Sequence, residues 1–173
     1  MTTSMRALMA ALALTVCGLF PAAAQTGALF QPADRDMIAR YRPSMEAVTR
    51  CNQAAKALAA AASKDARLKA EIDAEDDQDE PDNATMAQTI QNIEKRAPIA
   101  TTMLARSGCP VRDYFLIASQ SALAKMAASP ELAKVMGESN FLPPETIAFW
   151  QKNGTAAERL LDEASKLLEF GRQ

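Results

Sequence analysis

An all-helical fold is what this sequence predicts, and three observations carry it. Alanine, the best helix former, fills 36 of 173 positions, against 6 glycines and 9 aromatics. Apolar residues recur at three- and four-residue spacings, with no strand-like alternation and no internal repeat. Proline and glycine punctuate the periodic stretches. The expected form is one compact domain over residues 34–173, a multi-helix bundle or orthogonal helical array of five to seven helices.

The first 24 residues read as an export signal. Arg6 is the only charge before Asp34, and Ala7 to Phe20 has the length of a signal-peptide apolar core. Ala22-Ala23-Ala24 then supplies small residues for cleavage before Gln25. A lipoprotein signal at Cys17 is disfavoured by Val16, where such signals want a small residue. Residues 25–33 read as a flexible leader. The implied location is periplasmic or secreted, and no second apolar run is long enough to embed the chain in a membrane.

Helical periodicity begins near Asp34, with Met37, Ile38 and Tyr41 as a short apolar stripe. Pro43-Ser44 opens a second helix, with serine as its N-cap. Along it Met45, Val48, Asn52, Ala55, Ala59 and Ala62 recur, while Cys51 lies on a neighbouring stripe. The alanine run 59–62 is explained by helix propensity. A piece from Lys64 to Asp73 carries Leu68 and Ile72, then residues 71–82 hold eight acids and no base. Pro81 and Asn83 restart a helix with Met86, Ile90, Ile93 and Ala97 in register, and Pro98 ends or kinks it. Ile99, Met103 and Leu104 continue to Gly108, a left-handed cap.

Pro110 opens the most apolar helix, with charges confined to its start and end. A helix apolar nearly all round belongs at the centre of an array. Ser129-Pro130 begins a short segment through Val135 and Met136. Glu145 to Asn153 is expected as a short helix that Asn153-Gly154 stops. A last helix is expected to start at Thr155, in capping-box spacing with Glu158, and to pack on the central helix.

Composition strikes off several functions. The chain has no histidine, which removes the commonest general base and transition-metal ligand, and with them the usual catalytic triads and His-containing zinc sites. A formal charge of −2 is not that of a nucleic-acid binder. Export would place Cys51 and Cys109 in an oxidising compartment, where a disulfide is the expected state. Asp73, Glu75, Asp77 and Asp79 alternate like a calcium loop, but Gln78 and Ala84 stand where an EF-hand needs glycine and glutamate. The segment reads first as a solvated connection between helices, with weak, non-specific divalent-cation binding as the lesser alternative. The methionines are scattered one per segment, which fits core packing better than a copper site.

No catalytic constellation emerges. Ser121 and Lys125 share a helix face, a spacing common by chance. Arg112 and Asp113 are read as charges that suit the start of a helix and pair locally. Phe149 and Trp150, with Phe141, are read first as closing one end of the core; with Phe115 they are the residues that would line an apolar pocket in the alternative reading.

Gly108, Pro110, Arg112, Asp113, Tyr114 and Phe115, followed by Pro144, Glu145, Ile147, Phe149 and Asn153, resemble small secreted or periplasmic all-helical proteins of bacteria with no assigned activity. That resemblance implies an exported helical fold and adds no site. The expectation is therefore a non-enzymatic exported module, with no cofactor, that binds a protein partner. A carrier of a small apolar ligand held between helices is the alternative.

Overall fold

The computed structural model describes residues 30–76, 84–129 and 141–169. Residues 1–24, read above as an export signal, most of the expected leader, Asp77, Asp79 and the segment around Val135 and Met136 lie outside these residues. The described residues form α1 (Pro32–Arg40), α2 (Met45–Ala62), α3 (Ala66–Asp76), α4 (Met86–Arg96), α5 (Pro98–Arg106), α6 (Val111–Ala128) and α7 (Pro144–Glu169), with no strand among them. The fold is an all-α compact helical array.

The helix ends follow from side chains that satisfy first-turn N–H groups. Ser44 accepts from the Ala47 amide at 3.1 Å, as its sequence position predicts. Asp65 accepts from the Arg67 and Leu68 amides at the start of α3. Thr85 and Gln88 form a reciprocal capping box on α4. Pro98 neither kinks nor continues α4; it is the first residue of α5. The amides of Ile99 and Ala100 donate to the Glu71 carboxylate at 2.8 and 3.2 Å, so α3 caps α5 from outside. Gly108 takes φ +82°, the left-handed conformation expected of a C-terminal cap.

α6 is central: it touches α1, α2, α4, α5 and α7. Val111, Phe115, Leu116, Ile117, Leu123 and Met126 are all buried along it. Around it lie three apolar clusters. One joins α6 to Ile38 and to Met86, Ile90 and Ile93 of α4. Another joins α2, α3 and α5 around Leu58, Leu68 and Ala100. The third holds Val48, Cys51, Cys109, Ile117, Trp150 and Leu161.

The last helix, α7, packs on α6 as expected, and its contact with α2 is more extensive still. α2 and α7 run in the same direction: Arg42 pairs with Glu145 at their beginnings, and Lys56 with Glu163 further along. Ala47, Ala54, Ala55 and Ala62 of α2 are buried, as are Ala157 and Ala164 of α7, both fully inaccessible. Small side chains on both helices permit close backbone approach and dense packing. The alanine run is thus divided by face: Ala62 is buried, Ala59 and Ala61 are half-buried and Ala60 is exposed.

Cys51 and Cys109 are paired, with Cα atoms 4.8 Å apart and a sequence separation of 58. The bridge ties the middle of α2 to the entrance of α6. A loop of that length corresponds to a chain-entropy stabilisation of roughly 4 kcal/mol.

The expected break at Asn153-Gly154 is absent. α7 continues for 26 residues through both positions, and Glu158 lies in mid-helix instead of in a cap. Trp150, Ala157, Leu161 and Ala164 are buried at spacings of seven, four and three, so one apolar stripe crosses the predicted boundary. Tertiary burial outweighs the cost of about 1 kcal/mol for a glycine in a helix. The Asn153 side-chain Nδ2 also donates to the Phe149 carbonyl at 2.9 Å, one turn back. A methyl group at Gly154 would meet only Glu158 Oε1, at 3.8 Å. Gly154→Ala should therefore stabilise the chain by about 0.5–1 kcal/mol. Urea denaturation checks this; a loss of stability would mean that α7 needs the glycine.

Candidate functional site

The site is built from the end of a short helix. α1 stops at Arg40, and Tyr41 turns extended at φ −69° and ψ 135°. The Ile38 carbonyl accepts from the Tyr41 amide at 3.3 Å, and both it and the Tyr41 carbonyl meet a further donor. Gln120 of α6, fully buried, supplies both: its Nε2 donates to Ile38 O at 2.6 Å and to Tyr41 O at 3.0 Å. Its Oε1 accepts from Trp150 Nε1 of α7 at 3.4 Å. One buried amide thus fixes α1 against α6 and α7, with donor and acceptor ends both used.

This clamp places the α1–α2 connection beside the first turn of α6, leaving a cleft of about 530 Å³ between them. Arg40, Arg42 and Arg112 line it, with Asp36 and Asp113 as the acids and Tyr41 between. Met37 and Leu116 provide the apolar part of the lining. Arg40 pairs with Asp36 at 3.6 Å and Arg42 with Glu145 at 3.2 Å, and all four side chains are more than half exposed. Exposed pairs of this kind contribute about 0–1 kcal/mol each and exchange readily. Arg112 and Asp113 are in no ion pair among the described residues, contrary to the local pairing expected for Arg112. Burial, reinforced by Asp113 and opposed by Arg50, pushes the Tyr41 phenol up to about 12. It is a neutral hydrogen-bonding group at any physiological pH.

The other residues singled out by sequence fall elsewhere. Phe115 belongs to the cluster of α1, α4 and α6, whereas Trp150 and Phe149 belong to that of α2 and α7. Phe149 and Trp150 meet edge to face, with centroids 5.2 Å apart. Asp73 lies on α3 and is paired with Lys69 at 2.8 Å. The same helix runs through Glu75. No group of three or more metal-ligating side chains occurs among the described residues. Lys125 is paired with Glu158 at 3.1 Å and is 60% exposed, so it is not held against Ser121 as a desolvated base.

Gln120 and Asp34 are the residues whose roles the sequence did not disclose. Gln120 carried a signal: a neutral amide in the middle of an otherwise apolar helix must find partners if buried. Asp34 is only 4% exposed and accepts from the Met86 amide at 3.0 Å, joining α1 to the start of α4. No local spacing shows a contact across 52 residues.

No protein-family model matches the chain, and no curated protein or solved structure matches it.

Burial raises the Asp34 carboxyl above its ordinary range, against the lowering effect of the Met86 and Gln31 amides. The folded chain therefore holds this proton more tightly than the unfolded chain. The associated stabilisation is complete below the unfolded value and lost as pH rises through the folded one. Glu163 runs the other way: hydrogen bonds from Lys56 and Asn52 lower it, so its contribution is lost as pH falls. A carboxyl-carbon NMR titration should show an Asp34 midpoint above the ordinary value of about 3.9. A midpoint at or below that value would mean that the amide contacts outweigh burial.

Proposed function

We propose that this chain is a non-catalytic exported module that binds another protein through the α1–α6 cleft. Arg112 carries the reading: a charged side chain with no ion-pair partner among the described residues, in a cleft whose backbone edge is fixed by the buried Gln120 amide. Binding sites combine a preformed concave surface with a few fixed polar groups, which limits the entropy lost on association. The signal-like first 24 residues and the Cys51–Cys109 pair support a periplasmic or secreted location.

The cleft offers no arrangement of nucleophile and base. Its titratable groups are arginines, which stay charged, a phenol pushed up to about 12 and exposed or half-buried carboxylates. Holding a charged partner is the chemistry these groups support.

Native mass spectrometry of the protein recovered from its own periplasm tests this reading. The expected result is a stoichiometric protein partner that is retained with Arg67→Glu, on the exposed face of α3, and lost with Arg112→Glu. A bound small apolar molecule would overturn it in favour of a carrier. Partner retention unaffected by Arg112→Glu would remove the cleft from the reading.

A further inference from the structure

We infer that Asn153 is a spontaneous modification site that α7 closes while it is folded, and that conversion of Asn153 to isoaspartate keeps α7 from re-forming as one helix. Five asparagines occur in the chain, and Asn153 alone is followed by glycine. Glycine has no Cβ, so its backbone nitrogen can approach the preceding side chain and its torsions turn freely. The chemistry needs only base and water. Base takes the proton from the Gly154 backbone nitrogen, which attacks Cγ of Asn153. A C–N bond forms, the Cγ–Nδ2 bond breaks, and the side-chain nitrogen leaves as ammonia with one added proton. Water then opens the cyclic imide at either carbonyl, giving aspartate or isoaspartate. One water is consumed and one ammonia released, and nothing is oxidised or reduced.

The fold opposes each part of this reaction. α7 runs through Asn153 and Gly154, both half-buried. Inside an α-helix an N–H donates to the carbonyl four residues back, which commits the Gly154 nitrogen to Trp150. Helical backbone torsions also hold this nitrogen off the path toward Cγ. Asn153 Nδ2 donates to the Phe149 carbonyl at 2.9 Å, so the leaving amide is held over the preceding turn, away from Gly154. Freeing these groups means opening α7 where Trp150 on one side, and Ala157 and Leu161 on the other, are buried. Trp150 is further held by Gln120. Such an opening is a cooperative event, and a slow reaction follows the population of the open chain.

The two products differ in what they do to α7. Isoaspartate carries the main chain through its own Cβ, which adds a methylene to the backbone. The helical period is then broken between Trp150 and Ala157, which share one buried stripe. One continuous helix can no longer bury both. Aspartate leaves the backbone unchanged and loses only the side-chain donor to the Phe149 carbonyl. A chain that has stayed unfolded is therefore marked at Asn153 and barred from its native packing, whatever its cleft binds.

The test incubates the full, disulfide-intact chain at mildly alkaline pH, native in one arm and in guanidinium chloride in the other. Mass-spectrometric peptide mapping reads each asparagine, and isoaspartyl methyltransferase labelling identifies the isomer. In the unfolded arm Asn153 should convert at least about tenfold faster than Asn52, Asn83, Asn92 and Asn140. In the native arm its conversion should slow at least about tenfold. Gly154→Ala should remove the advantage of Asn153 in the unfolded arm. After dilution from denaturant, the isoaspartyl fraction should fail to regain the native fluorescence of Trp150, the only tryptophan, whereas Asn153→Asp should regain it. Conversion of Asn153 no faster than that of the other asparagines would remove the site. Equal rates in the two arms would show that α7 does not close it. Full recovery of the isoaspartyl fraction, or failure of Asn153→Asp to refold, would overturn the role of the lengthened backbone.

Discussion

The Gln120 side chain is the contact on which the functional end of the molecule depends. α1 has nine residues, too few for a helix to persist in water without tertiary support. The Ile38 carbonyl near its end and the Tyr41 carbonyl just beyond it face Gln120 of α6. Gln120 donates to both carbonyls and accepts from Trp150, so three helices share one amide. An unsatisfied buried polar group costs about 1–3 kcal/mol, and removing this side chain would take the partner from the Tyr41 carbonyl and the Trp150 indole N–H, while the Ile38 carbonyl would keep the Tyr41 amide. The position of Tyr41 and Arg42, and with it one wall of the cleft, follows from that satisfaction.

The rest of the scaffold compensates for a sequence poor in large side chains. Buried alanines yield little hydrophobic free energy each, so α2 and α7 gain stability from close approach over a long parallel contact. Asn52, buried in that contact, donates to Glu163, which Lys56 also holds. The Cys51–Cys109 pair fastens α2 to the entrance of α6, two residues before Val111. The cleft is therefore flanked by two tethers: the disulfide behind the start of α6 and the Gln120 amide beneath the end of α1. Its arginine side chains are exposed, while the backbone that carries them is held from both sides.

Periodicity and capping made most helices legible in the sequence. Ser44, Leu68, Ile90, Pro98 and Gly108 do in the structure what their spacing and chemistry predicted. The α7 error came from weighing a local signal alone. Asn-Gly disfavours helix locally, yet Trp150 and Ala157 on either side are buried on the same stripe, and burial wins. The site was less legible for a different reason. Arg112 and Asp113 were visible as charges, but whether they had partners depended on where Asp36, Tyr41 and Glu145 came to lie. Gln120, Asp34 and Asn52 act through contacts separated by 82, 52 and 111 residues. Such contacts leave no pattern in a single chain beyond the presence of a polar residue where the stripe is apolar.

Replacing Gln120 by leucine, which removes the amide with only a modest change in side-chain size, tests the clamp most directly. Chemical denaturation should show a loss of at least about 1 kcal/mol, because the Tyr41 carbonyl and the Trp150 indole N–H lose this partner and the Ile38 carbonyl keeps only the Tyr41 amide. Hydrogen exchange in the same variant should show lost protection confined first to α1 and the 41–44 connection. Stability within about 0.5 kcal/mol of the parent, with α1 protection unchanged, would contradict the role of Gln120 as the clamp.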